Sequence, residues 1–311
     1  MNTNTDAKPG SPGRLTKTAL VADRPTWCPG CGDFAVLAAF YKILEKLQFP
    51  QESIVTVAGI GCSSRIPYFV NTHGVHFIHG RALPLAAAIS LARPGLHVFA
   101  FGGDGDGFSI GGNHLEHAAR KNIDLTYIIM DNAVYGMTKN QTSPTSPLGY
   151  KSKTDPLGVV DPPVNPIKKL LASGATFIAR THSSQINHMT AMIERAIDHK
   201  GFSVVEVLSD CANFFPGAFD SVNPRKGGEF NVIDEKRGDD TLEDTLRHYV
   251  GDEVAAYKLA NQPFPGVFGV FYHVEHPTKN DLEVKMAEAV RKKTAACSDR
   301  EILQQSFERM K

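Results

Sequence analysis

The chain has 311 residues, with 33 basic and 33 acidic side chains and no net charge at neutral pH. That length suits one large α/β domain or two modest ones, and the balanced charge argues against a broad nucleic-acid-binding face. No apolar run reaches the roughly 18–20 residues of a membrane helix, and the polar start MNTNTDAKPGSPGR has no signal-peptide core, so a cytoplasmic setting with no membrane partner is expected.

Residues 1–20 read as a flexible, Gly- and Pro-rich arm. Asp33 is a candidate helix N-cap, followed at helical spacing by Phe34, Leu37, Ala38, Tyr41 and Leu44. Apolar runs at 53–60, 75–78, 96–101, 125–130, 176–179 and 203–208 predict strands. Helical patterns at 83–92, 112–121, 167–173 and 184–199 separate them, the last with Gly201 as a stop. Strands that are continuous apolar runs, alternating with helices, imply a doubly wound, mostly parallel sheet covered on both faces. Residues 135–164 are rich in Ser, Thr, Pro and Gly and read as a site loop. The expected division is a main domain over 21–225 and a more charged C-terminal extension over 226–311 that packs on a partner, with a last strand at 267–272 and a last helix at 282–292.

The sharpest motif is Gly103-Asp104-Gly105-Asp106-Gly107, between a predicted strand and helix. In an open α/β sheet ligands bind at that carboxyl end. Glycines let backbone approach a phosphate, and a helix N-terminus favours anions. Two aspartates beside a diphosphate would repel it unless a divalent cation lies between them, and Mg²⁺ takes one or two carboxylates together with phosphate oxygens. The next strand ends in Asp131-Asn132-Ala133-Val134-Tyr135-Gly136, one βαβ step further on. This pair of strand ends resembles the thiamine diphosphate motif, a GDG followed some residues later by asparagine, which implies Mg²⁺ ligation by Asp104, Asn132 and the Val134 carbonyl. A Rossmann reading is weaker, because the third glycine of GxGxxG is missing.

Five cysteines are present: Cys28, Cys31, Cys62, Cys211 and Cys297. An odd number argues against a disulfide framework. Cys28 and Cys31 form a CxxC knuckle, while Cys62 and Cys211 each follow a predicted strand. Strand ends of a parallel sheet gather on one edge, so these four can converge there. Structural zinc, a thioredoxin-like redox pair and a 4Fe-4S cluster all remain open; zinc usually takes two knuckles, and a redox pair leaves Cys62 and Cys211 unexplained.

WCPGCG, GIGCSS, HGRALPLA, GGDGDGFSIGG and MDNAVYGMT occur in this order between Trp27 and Pro216. Together they resemble the β subunits of 2-oxoacid:ferredoxin oxidoreductases, most closely the 2-oxoglutarate type. The resemblance implies thiamine diphosphate, Mg²⁺ and one 4Fe-4S cluster held by Cys28, Cys31, Cys62 and Cys211. It implies coenzyme A as acyl acceptor, ferredoxin as electron acceptor, and a catalytic α subunit in an α2β2 assembly. The reaction implied is reversible oxidative decarboxylation of a 2-oxoacid, 2-oxoglutarate giving succinyl-CoA. Pyruvate or branched 2-oxoacids stay open, as does a non-redox thiamine-dependent decarboxylase or carboligase with zinc. Gly61, Ser63, His79, Gly103, Asp104, Gly105, Asp106, Asn132, Tyr135, Gly136, Met137 and Thr138 are the candidate cofactor contacts, and His79 and Arg81 the candidate catalytic groups. Arg65 is a candidate for the second carboxylate of a dicarboxylic substrate.

Overall fold

The computed structural model describes residues 14–235, 247–263, 265–294 and 297–310. Six parallel strands form the centre: β1 (Ile54–Ala58), β2 (His73–His76), β3 (His97–Gly103), β4 (Leu125–Asp131), β5 (Phe177–His182) and β6 (Phe202–Leu208). Two-residue strands β7 (Asp234–Glu235) and β8 (Arg247–His248) pair separately. Strand β9 (Gly269–His273) adds antiparallel to β5, and the sheet order is β2-β1-β3-β4-β6-β5-β9.

The helices are α1 (Lys17–Leu20), α2 (Asp33–Leu47), α3 (Ile66–Phe69), α4 (Ala82–Ala92), α5 (Gly112–Arg120), α6 (Pro166–Ala172), α7 (Ile186–Asp198), α8 (Glu253–Ala260), α9 (Lys279–Lys293) and α10 (Asp299–Arg309). Every residue of β4 and of β6 is buried, which requires cover on both faces. Side chains alternate along β3: Phe99 and Phe101 join a core with α2, α3 and α7, while Val98 and Ala100 join one with α4, α5, α6 and α8. Helix α2 supplies Val36, Leu37, Phe40, Ile43 and Leu44 to the first core, a stripe at helical spacing. Each such side chain contributes about 1.5–3 kcal/mol by burial. The helix stops at Gln48, whose left-handed backbone (φ 54°) lets its N–H reach back to Leu44.

Three expectations change. Asp33 is not the cap of α2; Gly32 is, and the Asp33 side chain turns inward, where Ser209 Oγ donates to it at 2.7 Å. The arm is not loose to residue 20, since Leu15 and Leu20 are buried against α2 and α3. A boundary at residue 225 cuts through one body: α8 lies in the second core and β9 is an edge strand of the same sheet. By contrast, α9 and α10 bury no residue of their own among the described residues.

The chain leaves β1 towards β2 and α3 on one face, and leaves β3 towards α5 and β4 on the other. The carboxyl ends of β1 and β3 are therefore neighbours whose connections diverge. That opens a crevice at a topological switch point, where α/β sheets bind ligands.

Candidate active site

A cavity of about 220 Å³ occupies this crevice. The loop after β1 contributes Ile60, Gly61, Cys62 and Ser63; the loop after β2 contributes His79; the turn after β3 contributes Gly103, Asp104, Gly105 and Asp106. Beyond β4 come Asn132, Val134, Tyr135, Gly136, Met137 and Thr138, with Met130 beneath them. Every cofactor contact expected from the sequence thus lines one cavity. Ile60 and Met130 were not expected; their one sequence signal is that they sit at strand ends. Arg81 does not line it. Its guanidinium donates to the Gly80 and Ile110 carbonyls at 3.2 Å each, so it braces the loop and is withdrawn as a catalytic candidate. A larger hollow of about 540 Å³, among Arg195, His199 and His273, lies at the far end of the strands and has none of these loops.

The turn Gly105–Ile110 is helical with π-type pairing and runs directly into α5. Gly105 is required there: a Cβ would sit 2.0 Å from the Tyr135 ring. Asp104 is almost fully buried, and its Oδ2 lies 2.9 Å from the Thr145 hydroxyl. The same hydroxyl lies 2.8 Å from Oδ1 of the fully buried Asp131. Burial raises the pKa of both carboxyls. Asp131 is raised furthest, with the charges of Asp104 and Glu206 adding to desolvation. One hydroxyl proton cannot serve two carboxylates, so the geometry suits a proton on Asp131 and a charge on Asp104.

Asp106 holds the loops together. Its Oδ1 accepts the Gly80 N–H at 2.7 Å, the Ile60 N–H at 3.0 Å and His79 Nδ1 at 3.0 Å. Burial raises its pKa, while these donors and the charge of His79 oppose the rise. Three N–H groups aimed at one oxygen fit an acceptor-only carboxylate, and they set the tautomer of His79 with Nδ1–H towards Asp106 and Nε2 left for the cavity. On the other wall, Asn132 Oδ1 accepts the Val134 N–H at 3.1 Å, and Ala133 takes a left-handed φ of 55°. Such a conformation in alanine costs on the order of 1 kcal/mol or more. It is held by the Ala133 N–H donating to Asp131 and by Ser146 Oγ donating to the Ala133 carbonyl.

Two of the cysteines, Cys62 and Cys211, border the same cavity. Cys62 is part of its wall, and a Cβ on Gly136 would stand 3.5 Å from Cys211 Sγ. The Cys28–Cys31 turn docks on the loop after β6 through Gly32 N–H to the Asp210 carbonyl at 2.9 Å, and Trp27 Nε1 donates to the Cys62 carbonyl at 2.8 Å. Burial, the Asp33 charge and the neighbouring sulfurs push the Cys62 thiol up to about 12 and Cys31 higher still. Cys31 feels Cys62 and Cys211; Cys62 feels Cys211 and Cys28. Thiols so placed resist ionising together, and a cationic centre among them removes that penalty. Among the described residues no three His, Cys, Asp or Glu side chains close tightly enough to hold a single metal ion. Cys297 lies near the start of α10, outside this nest.

The model of the thiamine pyrophosphate enzyme C-terminal, TPP-binding domain matches residues 59–207. The chain is 38% identical over 297 residues to 2-oxoglutarate oxidoreductase subunit KorB of Mycobacterium tuberculosis, covering 85% of this chain and 79% of that one. It is 44% identical over 190 residues to the 2-oxoacid:ferredoxin oxidoreductase subunit beta of Saccharolobus solfataricus, covering 60% and 62%. It superposes with a TM-score of 0.81 and 34% identity on a 2-oxoglutarate:ferredoxin oxidoreductase chain from Magnetococcus marinus, solved with 2-oxoglutarate, coenzyme A and succinyl-CoA bound; 94% of this chain and 96% of that one are covered. No helix among the described residues is long and apolar enough to cross a membrane.

Proposed function

Because this chain belongs to the family of 2-oxoacid:ferredoxin oxidoreductases as a β subunit, we propose that its switch-point cavity is the thiamine diphosphate site and its cysteine nest a 4Fe-4S site that passes electrons to ferredoxin. The reaction is CoA-dependent oxidative decarboxylation of a 2-oxoacid, with 2-oxoglutarate as the preferred substrate. One observation carries the reading: the coenzyme cavity and the sulfurs share a wall, with Cys62 on its surface and Cys211 directly behind Gly136. A one-electron acceptor held there is next to the place where electrons would be released.

The donor set fits Mg²⁺ and diphosphate. Asp104 offers a hard carboxylate oxygen, with Asn132 and the Val134 carbonyl on the facing loop, and Gly103 and Gly105 leave backbone open to phosphate. When bound, thiamine diphosphate supplies the electron-sink chemistry that decarboxylation needs. The chain's own part is to hold that cofactor, keep water out with Ile60, Met130 and Met137, and present His79 Nε2 as a proton acceptor or donor. No glutamate lines the cavity among the described residues, so we assign the carboxylate that the pyrimidine ring requires to the α subunit. Arg65, over the Phe69 ring at 5.9 Å and two residues beyond Ser63, is our candidate for the far carboxylate of 2-oxoglutarate. An α2β2 assembly suits helices α9 and α10, which carry exposed Met286, Leu303 and Phe307. A reducing cytoplasm suits five unpaired cysteines.

The structural-zinc alternative is the weaker one because zinc sites usually take two knuckles and the sequence has one CxxC pair. The test is anaerobic co-purification with the α subunit and assay of 2-oxoglutarate, pyruvate and branched 2-oxoacids with coenzyme A and viologen dye. We expect CoA-dependent dye reduction, fastest with 2-oxoglutarate. Decarboxylation without dye reduction by a colourless protein would instead establish the non-redox reading.

A further inference from the structure

Thr145 lies in the long loop after β4, far in sequence from the aspartate–glycine turn, yet it is 2% exposed and touches both buried carboxyls of the site. Its position is fixed by its neighbours. Ser146 Oγ donates to the Ala133 carbonyl at 2.7 Å, and the Ser143 N–H donates to Ser146 Oγ at 2.9 Å. The turn that carries Thr145 is thereby fastened to the strained residue between Asn132 and Val134.

A carboxylate on a short side chain rotates about its last bond and can present either oxygen, and a hydroxyl fixed on one of them removes that freedom. We propose that Thr145 is a positioning residue for the cation: its hydroxyl holds Oδ2 of Asp104, turns Oδ1 to Mg²⁺, and keeps Asp131 from drawing the carboxylate away. This rests on the Mg²⁺–diphosphate reading of the cavity and names a group that, together with the Ser143 side chain, makes Asp104 ready for it. Partners of metal-binding carboxylates are worth roughly 10- to 100-fold in metal affinity. The docking of the 135–164 loop and the readiness of the metal site are then one event.

The test uses the αβ complex stripped of cofactor, with Mn²⁺ as the probe, titrated by electron paramagnetic resonance at fixed thiamine diphosphate. Thr145→Val keeps the shape and removes the hydroxyl; Thr145→Ser keeps the hydroxyl. T145V should weaken Mn²⁺ by roughly 10- to 100-fold, recover most of its turnover at saturating metal, and T145S should bind near the wild-type level. Wild-type affinity in T145V, or equal weakening in T145S, overturns the proposal. Should T145V be recovered unfolded, T145A carries the same expectation without the extra methyl; unfolding of both assigns Thr145 to the fold alone and overturns it as well. A wild-type complex with no thiamine diphosphate-dependent Mn²⁺ binding sinks the cavity reading itself, which is a different result from a normal wild type with an indifferent T145V.

Discussion

Replacing Asp106 with alanine removes the acceptor of three donors at once: Ile60 N–H at 3.0 Å, Gly80 N–H at 2.7 Å and His79 Nδ1 at 3.0 Å. A hydrogen bond to a charged acceptor contributes about 1.5–3 kcal/mol, and about 1.4 kcal/mol is a factor of ten in an equilibrium. The amides of Ile60 and Gly80 should therefore exchange roughly 10- to 100-fold faster in Asp106→Ala. Asp106→Asn keeps one oxygen but loses the charge, and neutral acceptors are about half as strong, so its effect should be the smaller. The assay is hydrogen–deuterium exchange by mass spectrometry on peptides spanning 59–63 and 77–81, with β4 peptides as the reference. Unchanged protection at both loops, or equal acceleration in β4, would refute the reasoning, because the loss would then be absent or global.

Gly105→Ala drives a methyl into the Tyr135 ring, where the ideal Cβ is 2.0 Å from Cε1; overpacking of this kind costs about 1–3 kcal/mol, and calorimetry should find thiamine diphosphate binding weakened or lost. Cys62→Ser should abolish the visible absorbance that dithionite bleaches while leaving the far-ultraviolet circular dichroism intact; an unchanged spectrum would remove Cys62 from the cluster. His199 is pressed down from 6.5 to about 4, first by burial and then by His273. Its folded form takes up a proton less readily than the unfolded chain, so it costs no stability above pH 6.5 and a growing penalty down to about 4. His199→Gln should flatten that acid slope in denaturation curves; a parallel curve would contradict it.

The sheet was legible because apolar runs such as 125–130 and 203–208 have no other stable home than a strand buried on both faces. The cavity was legible because its chemistry sits at strand ends, which topology brings together without any long-range information. Four things were not. Asp33 has the identity and position of a cap, and only the three-dimensional proximity of Ser209 shows that it faces inward. Arg81 stands beside His79, but its reach to the Ile110 carbonyl depends on the π-type turn after Gly105, which glycine-rich sequence does not announce. Helix α8 was missed because EVAAYKLA has a weak amphipathic pattern, and its burial comes from packing on α6. Thr145 lay in a stretch read as a loop, where one hydroxyl among many carries no mark of its partner.

Strand β9 pairs with β5, which would otherwise be the free border of the sheet. The residues that pair with this border lie well downstream of it in the chain. A nascent chain therefore carries an unsatisfied ladder of N–H and carbonyl groups along β5 until β9 has been made, and such ladders recruit foreign strands. Premature termination before residue 269 should yield not a smaller working protein but one prone to stick to itself.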